Sequence, residues 1–279
     1  FHVSYAFALN LYYVYYYIMN IYQKFKRFKF TIDKLDFNLI KNCLVKPYIF
    51  TNHDDCLGID LETNKSIQNA LYCNFLSIKM QQRFENACCH KSSLIKAFGK
   101  SLLKRDDLVI LDATSGFGND SIELAAKAKK VIMLEKSKIV YALLQDGLER
   151  LKSALEQELE SNEKIIKDTL QVEMLSLNLD FQAYARSSQK DINNIDIIYL
   201  DPMYPKDDKK TALNKKYMQY LQDLTFNSAK DSELLDLALS IAKHRIILKR
   251  PLHAEILYPK KLCYQVKSKL VRYDVYLPS

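Results

Sequence analysis

Between residue 108 and about residue 250 this chain alternates short apolar runs with stretches of helical periodicity, and few folds accept that pattern. Residues 108–111 are apolar and stop at Asp112; a turn follows, then a helix-like stretch over 119–128, then the apolar run 131–134, which stops at Glu135. Short apolar runs without polar alternation are strands covered on both faces, and strands alternating with helices build a mainly parallel sheet. Val140, Leu144, Leu148, Leu151, Leu155 and Leu159 recur at three- and four-residue intervals and predict a long amphipathic helix. Further strands are predicted at 181–185, at 195–200 and at 245–249, with a helix over 234–242 and a half-buried final strand in RYDVYL. The expected fold is α/β: a doubly wound, Rossmann-like sheet over residues 101–279, preceded by a small α+β lobe over 31–100 and an apolar, tyrosine-rich segment over 1–30.

In such sheets ligands sit beyond the carboxyl ends of the strands, at the point where strand order reverses. Polar residues stand where the predicted strands end: Asp112 with ATSGFGND, Glu135-Lys136, Ser187-Ser188, and Asp201-Pro202-Met203-Tyr204. The chain has only 5 glycines, yet Gly116 and Gly118 both fall in the first strand-to-helix turn, where the backbone bends sharply and a ligand can come close. Glu135, 23 residues after Asp112, is placed to accept hydrogen bonds from ribose hydroxyls. A dinucleotide turn would carry a third small residue in GxGxxG and present a helix N-terminus to pyrophosphate. Here Gly118 is followed by Asn119-Asp120-Ser121, and a carboxylate there would repel pyrophosphate. An acidic turn suits a cationic ligand, and S-adenosylmethionine, with its sulfonium and ammonium groups, is one.

The corner Asp201-Pro202-Met203-Tyr204 fits an exocyclic amine of a nucleobase. The carboxylate or a backbone carbonyl accepts the amine N–H, proline stiffens the turn, and Tyr204 stacks on the base for roughly 1–3 kcal/mol. Lys206, Lys209, Lys210, Lys215 and Lys216 follow at once, with Lys249-Arg250 after the next strand, and are expected on the same rim as phosphate contacts. A net charge of +8 agrees with an anionic partner such as nucleic acid.

The 6 cysteines form no CxxC pair, which fits a reduced cytoplasmic setting, and Cys88-Cys89-His90 lacks a second cluster to complete a metal site, so no metal is expected. The opening 20 residues are apolar but carry His2, Asn10, Asn20 and six tyrosines before the basic run KFKRFKF, a poor match to a membrane anchor.

Taken together, LDATSGFGNDSIELA, MLEKSKIVYALLQDGLERL, ARSS, DIIYLDPMYPKDDKKTALNKKYM, RIILKRP and RYDVYL resemble the RsmJ family, the bacterial 16S rRNA guanine-N(2) methyltransferases. The resemblance runs from about Asp54 to the C-terminus and implies a class I S-adenosylmethionine-dependent methyltransferase acting on 16S rRNA or the small ribosomal subunit. It places cofactor contacts on Asn119, Asp120, Glu135, Lys136, Ser187, Ser188 and Asp201. The chain departs from the family where RFENACCHKSSLIKAFG stands in place of a glycine-rich loop after an Arg-Phe pair, and where Asn119 and Lys136 replace arginines. Two alternatives stand beside this reading: a nicotinamide-dependent oxidoreductase, opposed by Asn119-Asp120, and a non-catalytic RNA-binding protein that retains the fold.

Overall fold

The computed structural model describes residues 27–31, 48–53, 56–61, 71–161, 171–187, 192–202 and 230–278. Its elements in chain order are β1 (Arg27–Thr31), β2 (Tyr48–His53), β3 (Cys56–Leu61), α1 (Ile78–Cys88), α2 (Ser93–Lys96), α3 (Gly99–Leu102), β4 (Val109–Asp112), α4 (Asn119–Ala125), β5 (Lys130–Leu134), α5 (Lys138–Ser161), β6 (Gln171–Leu177), α6 (Phe181–Arg186), β7 (Ile197–Leu200), α7 (Asp231–Ile241), β8 (Arg245–Pro251), β9 (Leu262–Lys267) and β10 (Val271–Tyr276).

Eight strands form one sheet in the order β1-β6-β5-β4-β7-β8-β10-β9, and β2 and β3 make a separate antiparallel pair. From β1 through β8 the neighbours are parallel, and β10 enters antiparallel between β8 and β9. From β4 the chain moves outward to β5 and β6, then returns to lay β7 on the other side of β4, so the switch point lies between β4 and β7.

Both sheet faces are covered, which explains the unbroken apolar runs. Ile110, Val131, Met133, Ile197, Tyr199 and Ile247 face a core shared with α1, α2, α4 and α5. Their neighbours Leu111, Ile132, Leu134, Ile198, Leu200 and Leu248 face the opposite core, under α6 and α7. Alternate residues therefore serve opposite layers, as the two-residue strand period demands.

The structure corrects the strand expected at 181–185. Those residues lie in α6, with Asp180 as its N-cap accepting the Ala183 N–H at 2.6 Å and with Phe181 and Tyr184 buried on one side. The strand beside β5 is instead β6, where Val172, Met174 and Ser176 alternate inward between half-exposed neighbours. The helix expected over 119–128 ends at Ala125. The expected boundary between residues 30 and 31 falls inside β1, which pairs with β6, and α1 to α3 bury Phe84, Leu94, Ile95 and Leu102 in the sheet's own core. Among the described residues no helix is long and apolar enough to cross a membrane, and the tyrosine-rich opening lies outside them apart from its last residues.

Candidate active site

The turn between β4 and α4 ties three strand ends together. Asp112 closes β4 fully buried, its carboxylate accepting the Ser121 hydroxyl at 2.6 Å and the Thr114 N–H at 3.2 Å. Burial pushes its carboxyl up to about 7, against the pull of those two donors. Thr114 Oγ1 in turn accepts the Asp201 N–H at 2.6 Å, joining this turn to the end of β7. Two residues on, the Gly116 N–H donates to Glu135 Oε2 at 3.0 Å, joining the turn to the end of β5. Glu135 Oε1 also accepts the Ser137 N–H at 2.7 Å, and burial raises this carboxyl to about 7.

Gly116 and Gly118 both have positive φ, +54 and +71, but their surroundings differ. A Cβ on Gly118 would lie 2.7 Å from Leu144 Cδ1 and 3.0 Å from Phe75 Cζ, so this glycine lets α4 close on the core. A Cβ on Gly116 would meet nothing within 4 Å, so that stretch of backbone borders open space.

Beside this turn lies a chain of alternating charges. Lys249, on β8, donates from Nζ to Asp120 Oδ2 and to Asp201 Oδ2, both at 2.8 Å. Asp120 also accepts the Tyr199 hydroxyl at 2.6 Å and the Arg83 Nη2, and Arg83 holds Glu123 Oε2 through Nε at 3.0 Å and Nη2 at 2.6 Å. The Ser92 hydroxyl, at the N-cap of α2, completes the set by donating to Glu123 Oε1. Burial pushes Asp120 up, but Lys249 and Arg83 outweigh it and hold the carboxyl well below the usual range. Asp201 is raised to about 6, by burial first and then by Asp120, with Lys249 opposing. The reverse holds for Lys249: burial favours its neutral form, and the two carboxylates overcome that and raise it.

The sequence-predicted residues fall into three groups. Asp112, Gly116, Gly118, Glu135, Asp201 and buried Pro202 converge at the switch point, with Asn119 half-exposed and Lys136 exposed beside them. A second group is placed differently from expectation. Asp120 is paired inside the protein with Arg83 and Lys249, so its charge is largely compensated there. Lys249 and Arg250 do not stand on an outer rim as phosphate contacts: Lys249 bridges two carboxylates, and Arg250 is buried with Nη1 on Asp231 at 2.7 Å and Nη2 on the Glu255 carbonyl at 3.0 Å. Ser187 caps α6 and donates its hydroxyl to the Tyr184 carbonyl at 2.6 Å, so it follows a helix and not a strand. A third group, Ser188, Tyr204, Lys206, Lys209, Lys210, Lys215 and Lys216, lies outside the described residues.

Sequence reasoning passed over four participants. Arg83 and Tyr199 read as ordinary helix and strand positions, and only their reach to Asp120 reveals them. Thr114 was legible as a polar residue within the glycine turn. Asn178, at the true end of the third central strand, donates to the Glu135 carbonyl at 2.7 Å and was hidden by the misplaced strand. Among the described residues no cluster of His, Cys, Asp and Glu is arranged to hold a metal ion.

Comparison with known proteins bears on this arrangement. A family model described as "Putative SAM-dependent methyltransferase" matches residues 35–278. A Desulfotalea psychrophila protein named ribosomal RNA small subunit methyltransferase J is 34% identical over 209 residues, covering 75% of this chain and 74% of that protein. A protein of the same name from Buchnera aphidicola subsp. Acyrthosiphon pisum (strain APS) is 34% identical over 267 residues, 93% of this chain and 100% of its own length. Among solved structures, a SAM-dependent methyltransferase from Neisseria gonorrhoeae has the same fold, with a TM-score of 0.50 at 22% identity over 89% of this chain and 96% of that one.

Proposed function

Because this chain belongs to the SAM-dependent methyltransferase family that includes the ribosomal RNA small subunit methyltransferases J, we propose that it methylates the exocyclic N(2) amine of a guanosine in 16S rRNA. The observation that supports the reading is the double tether of one turn, Thr114 to Asp201 and Gly116 to Glu135, which holds the two carboxylates we assign to the ribose and to the amine around the same strand ends.

The residues present fit S-adenosylmethionine. Gly116 leaves its backbone open to an approaching ligand, and Glu135, held by two backbone N–H groups, keeps lone pairs for ribose hydroxyls. When bound, the cofactor supplies an electrophilic methyl group. The protein's own work is positioning. Asp201 Oδ2 is engaged by Lys249, while Oδ1 has no hydrogen-bond partner among the described residues and is available to accept an amine N–H. That bond turns the nitrogen lone pair toward the methyl donor. Buried Pro202 keeps the corner stiff, and Tyr204 stacks on the base. The nitrogen gains the methyl and releases one proton to water. Lys206, Lys209, Lys210, Lys215 and Lys216 contact phosphates, and the reaction belongs in the cytoplasm, where small subunits are found.

The test is methyl incorporation into small ribosomal subunits purified from cells that lack this modification, followed by nucleoside analysis. Wild-type protein yields N(2)-methylguanosine, and Asp201→Ala loses about 100-fold or more in rate. No incorporation by wild type, or full incorporation by the variant, overturns the proposal.

A further inference from the structure

We propose that Lys249 is a positioning residue for this reaction, clamping the Asp201 carboxylate against Asp120 so that Oδ1 alone is left to take the substrate amine; this rests on the role of Asp201 proposed above. The lysine extends from β8, next to β7 in the sheet, and reaches two carboxylates that no sequence neighbourhood links. Both contacts are 2.8 Å, and only 22% of its side chain is exposed. The far carboxylate is fixed in its turn, because Arg83 and the Tyr199 hydroxyl hold Asp120 from two other elements. A rigid anchor on one side of the ammonium makes it a rigid anchor for Asp201 on the other.

A purely structural ion pair explains this less well. Burying charge is costly, and apolar residues of similar size commonly serve stability equally well or better. What an apolar residue cannot do here is keep Asp201 ionised. The groups facing Asp201 are Lys249 from β8, Asp120 from α4, Arg83 from α1, Asp112 from the end of β4 and Tyr199 from β7. Burial and Asp120 both favour the protonated acid, which donates where an acceptor is needed; Lys249 is the principal cation against them, with Arg83 a smaller one. Lys249 holds the Asp201 carboxyl down, and an adjacent opposite charge is worth about 1–3 pKa units, so removing it moves that carboxyl upward by about that much. At neutral pH the ionised fraction then falls by about twofold at the low end of that range and far more at the high end.

The experiment compares wild type, Lys249→Met and Lys249→Arg in two readouts. The first is the Asp201 carboxyl titration, followed by carbon-13 NMR of aspartate-labelled protein and assigned by loss of the signal in Asp201→Asn. The second is the pH dependence of kcat for methyl transfer. Lys249→Met is expected to raise the Asp201 midpoint by at least about one unit and to move the acid limb of kcat by the same amount, with KM for the subunit within about twofold. Lys249→Arg is expected to keep the midpoint near that of wild type. In the wild-type protein itself, the Lys249 Nζ resonance is expected to shift with the Asp201 midpoint, a measurement that needs no variant to fold. Independent midpoints in the wild type, or an unmoved carboxyl in Lys249→Met, overturn the proposal. The titration is read without catalysis, so a clamped Asp201 in a protein that methylates no rRNA would refute the proposed function and leave the clamp standing.

Discussion

Replacing each turn glycine by alanine separates packing from ligand access. At Gly118 two costs add. A φ of +71 is left-handed, which costs an alanine about 1–2 kcal/mol. The new Cβ also intrudes to 2.7 Å from Leu144 Cδ1 and 3.0 Å from Phe75 Cζ, both fully buried, and overpacking of this kind adds about 1–3 kcal/mol. Gly118→Ala should therefore lose about 3 kcal/mol and melt roughly 6–12 °C lower. At Gly116 only the conformational cost applies, about 1–2 kcal/mol, because nothing lies within 4 Å of the added carbon. On the proposed reading, that carbon instead enters the open space through which the cofactor would pass the backbone. Urea unfolding measures the first effect and calorimetry with S-adenosylhomocysteine the second. Gly116→Ala should bind at least about tenfold more weakly, while Gly118→Ala, assayed well below its melting temperature, should bind within about threefold of wild type. Equal stability losses with equal affinities, or wild-type binding by Gly116→Ala, would refute the division of roles.

Other consequences can be measured directly. Asp112 and Glu135, both raised to about 7, retain protons in the folded chain that the unfolded chain gives up near pH 4, so the free energy of unfolding should fall as pH rises from about 4 to about 7. Each carboxyl contributes a slope of at most about 1.4 kcal/mol per pH unit. Glu135→Gln should flatten the profile between about pH 5 and pH 7 in urea titrations, and an unchanged slope would contradict the assigned burial effect. Arg250→Lys should destabilise the protein by about 1–3 kcal/mol through its lost bonds to Asp231 and the Glu255 carbonyl, yet leave RNA affinity and its salt dependence unchanged. Alanines at Lys209 and Lys210 should each reduce the salt slope of RNA binding by about one.

Much of the sheet was readable because both of its faces are covered. Leu108 to Asp112, Val131 to Glu135 and Ile197 to Asp201 show as apolar runs stopped by a carboxylate, and the stops fall at neighbouring strand ends around the switch point. The strand at the sheet's covered end failed that signal. β6 alternates buried with half-exposed residues, so its run is broken by Glu173, whereas FQAYAR shows apolar residues close together because one side of α6 packs inward. Strand and helix cannot be told apart on so short a run without the Asp180 cap. The charge chain was illegible for a different reason. Arg83, Asp120 and Lys249 lie on three separate elements and Asp201 just beyond a fourth, and their chemistry depends on which charges the topology brings within about 3 Å. Charge runs suggest solvated faces, and Lys249-Arg250 is the case where that rule points the wrong way.

β1 gives the architecture a practical consequence. Its five residues lie alongside β6, from Arg27 against Gln171 to Thr31 against Leu175, and so shield the hydrogen-bonding margin of a sheet whose other central strands come from beyond residue 100. A fragment cut to begin near residue 101 would lay bare a row of unsatisfied amides and carbonyls along β6, an invitation to intermolecular strand exchange and precipitation. Dissecting this enzyme into autonomous pieces therefore has to respect a stitch that the order of its motifs does not disclose.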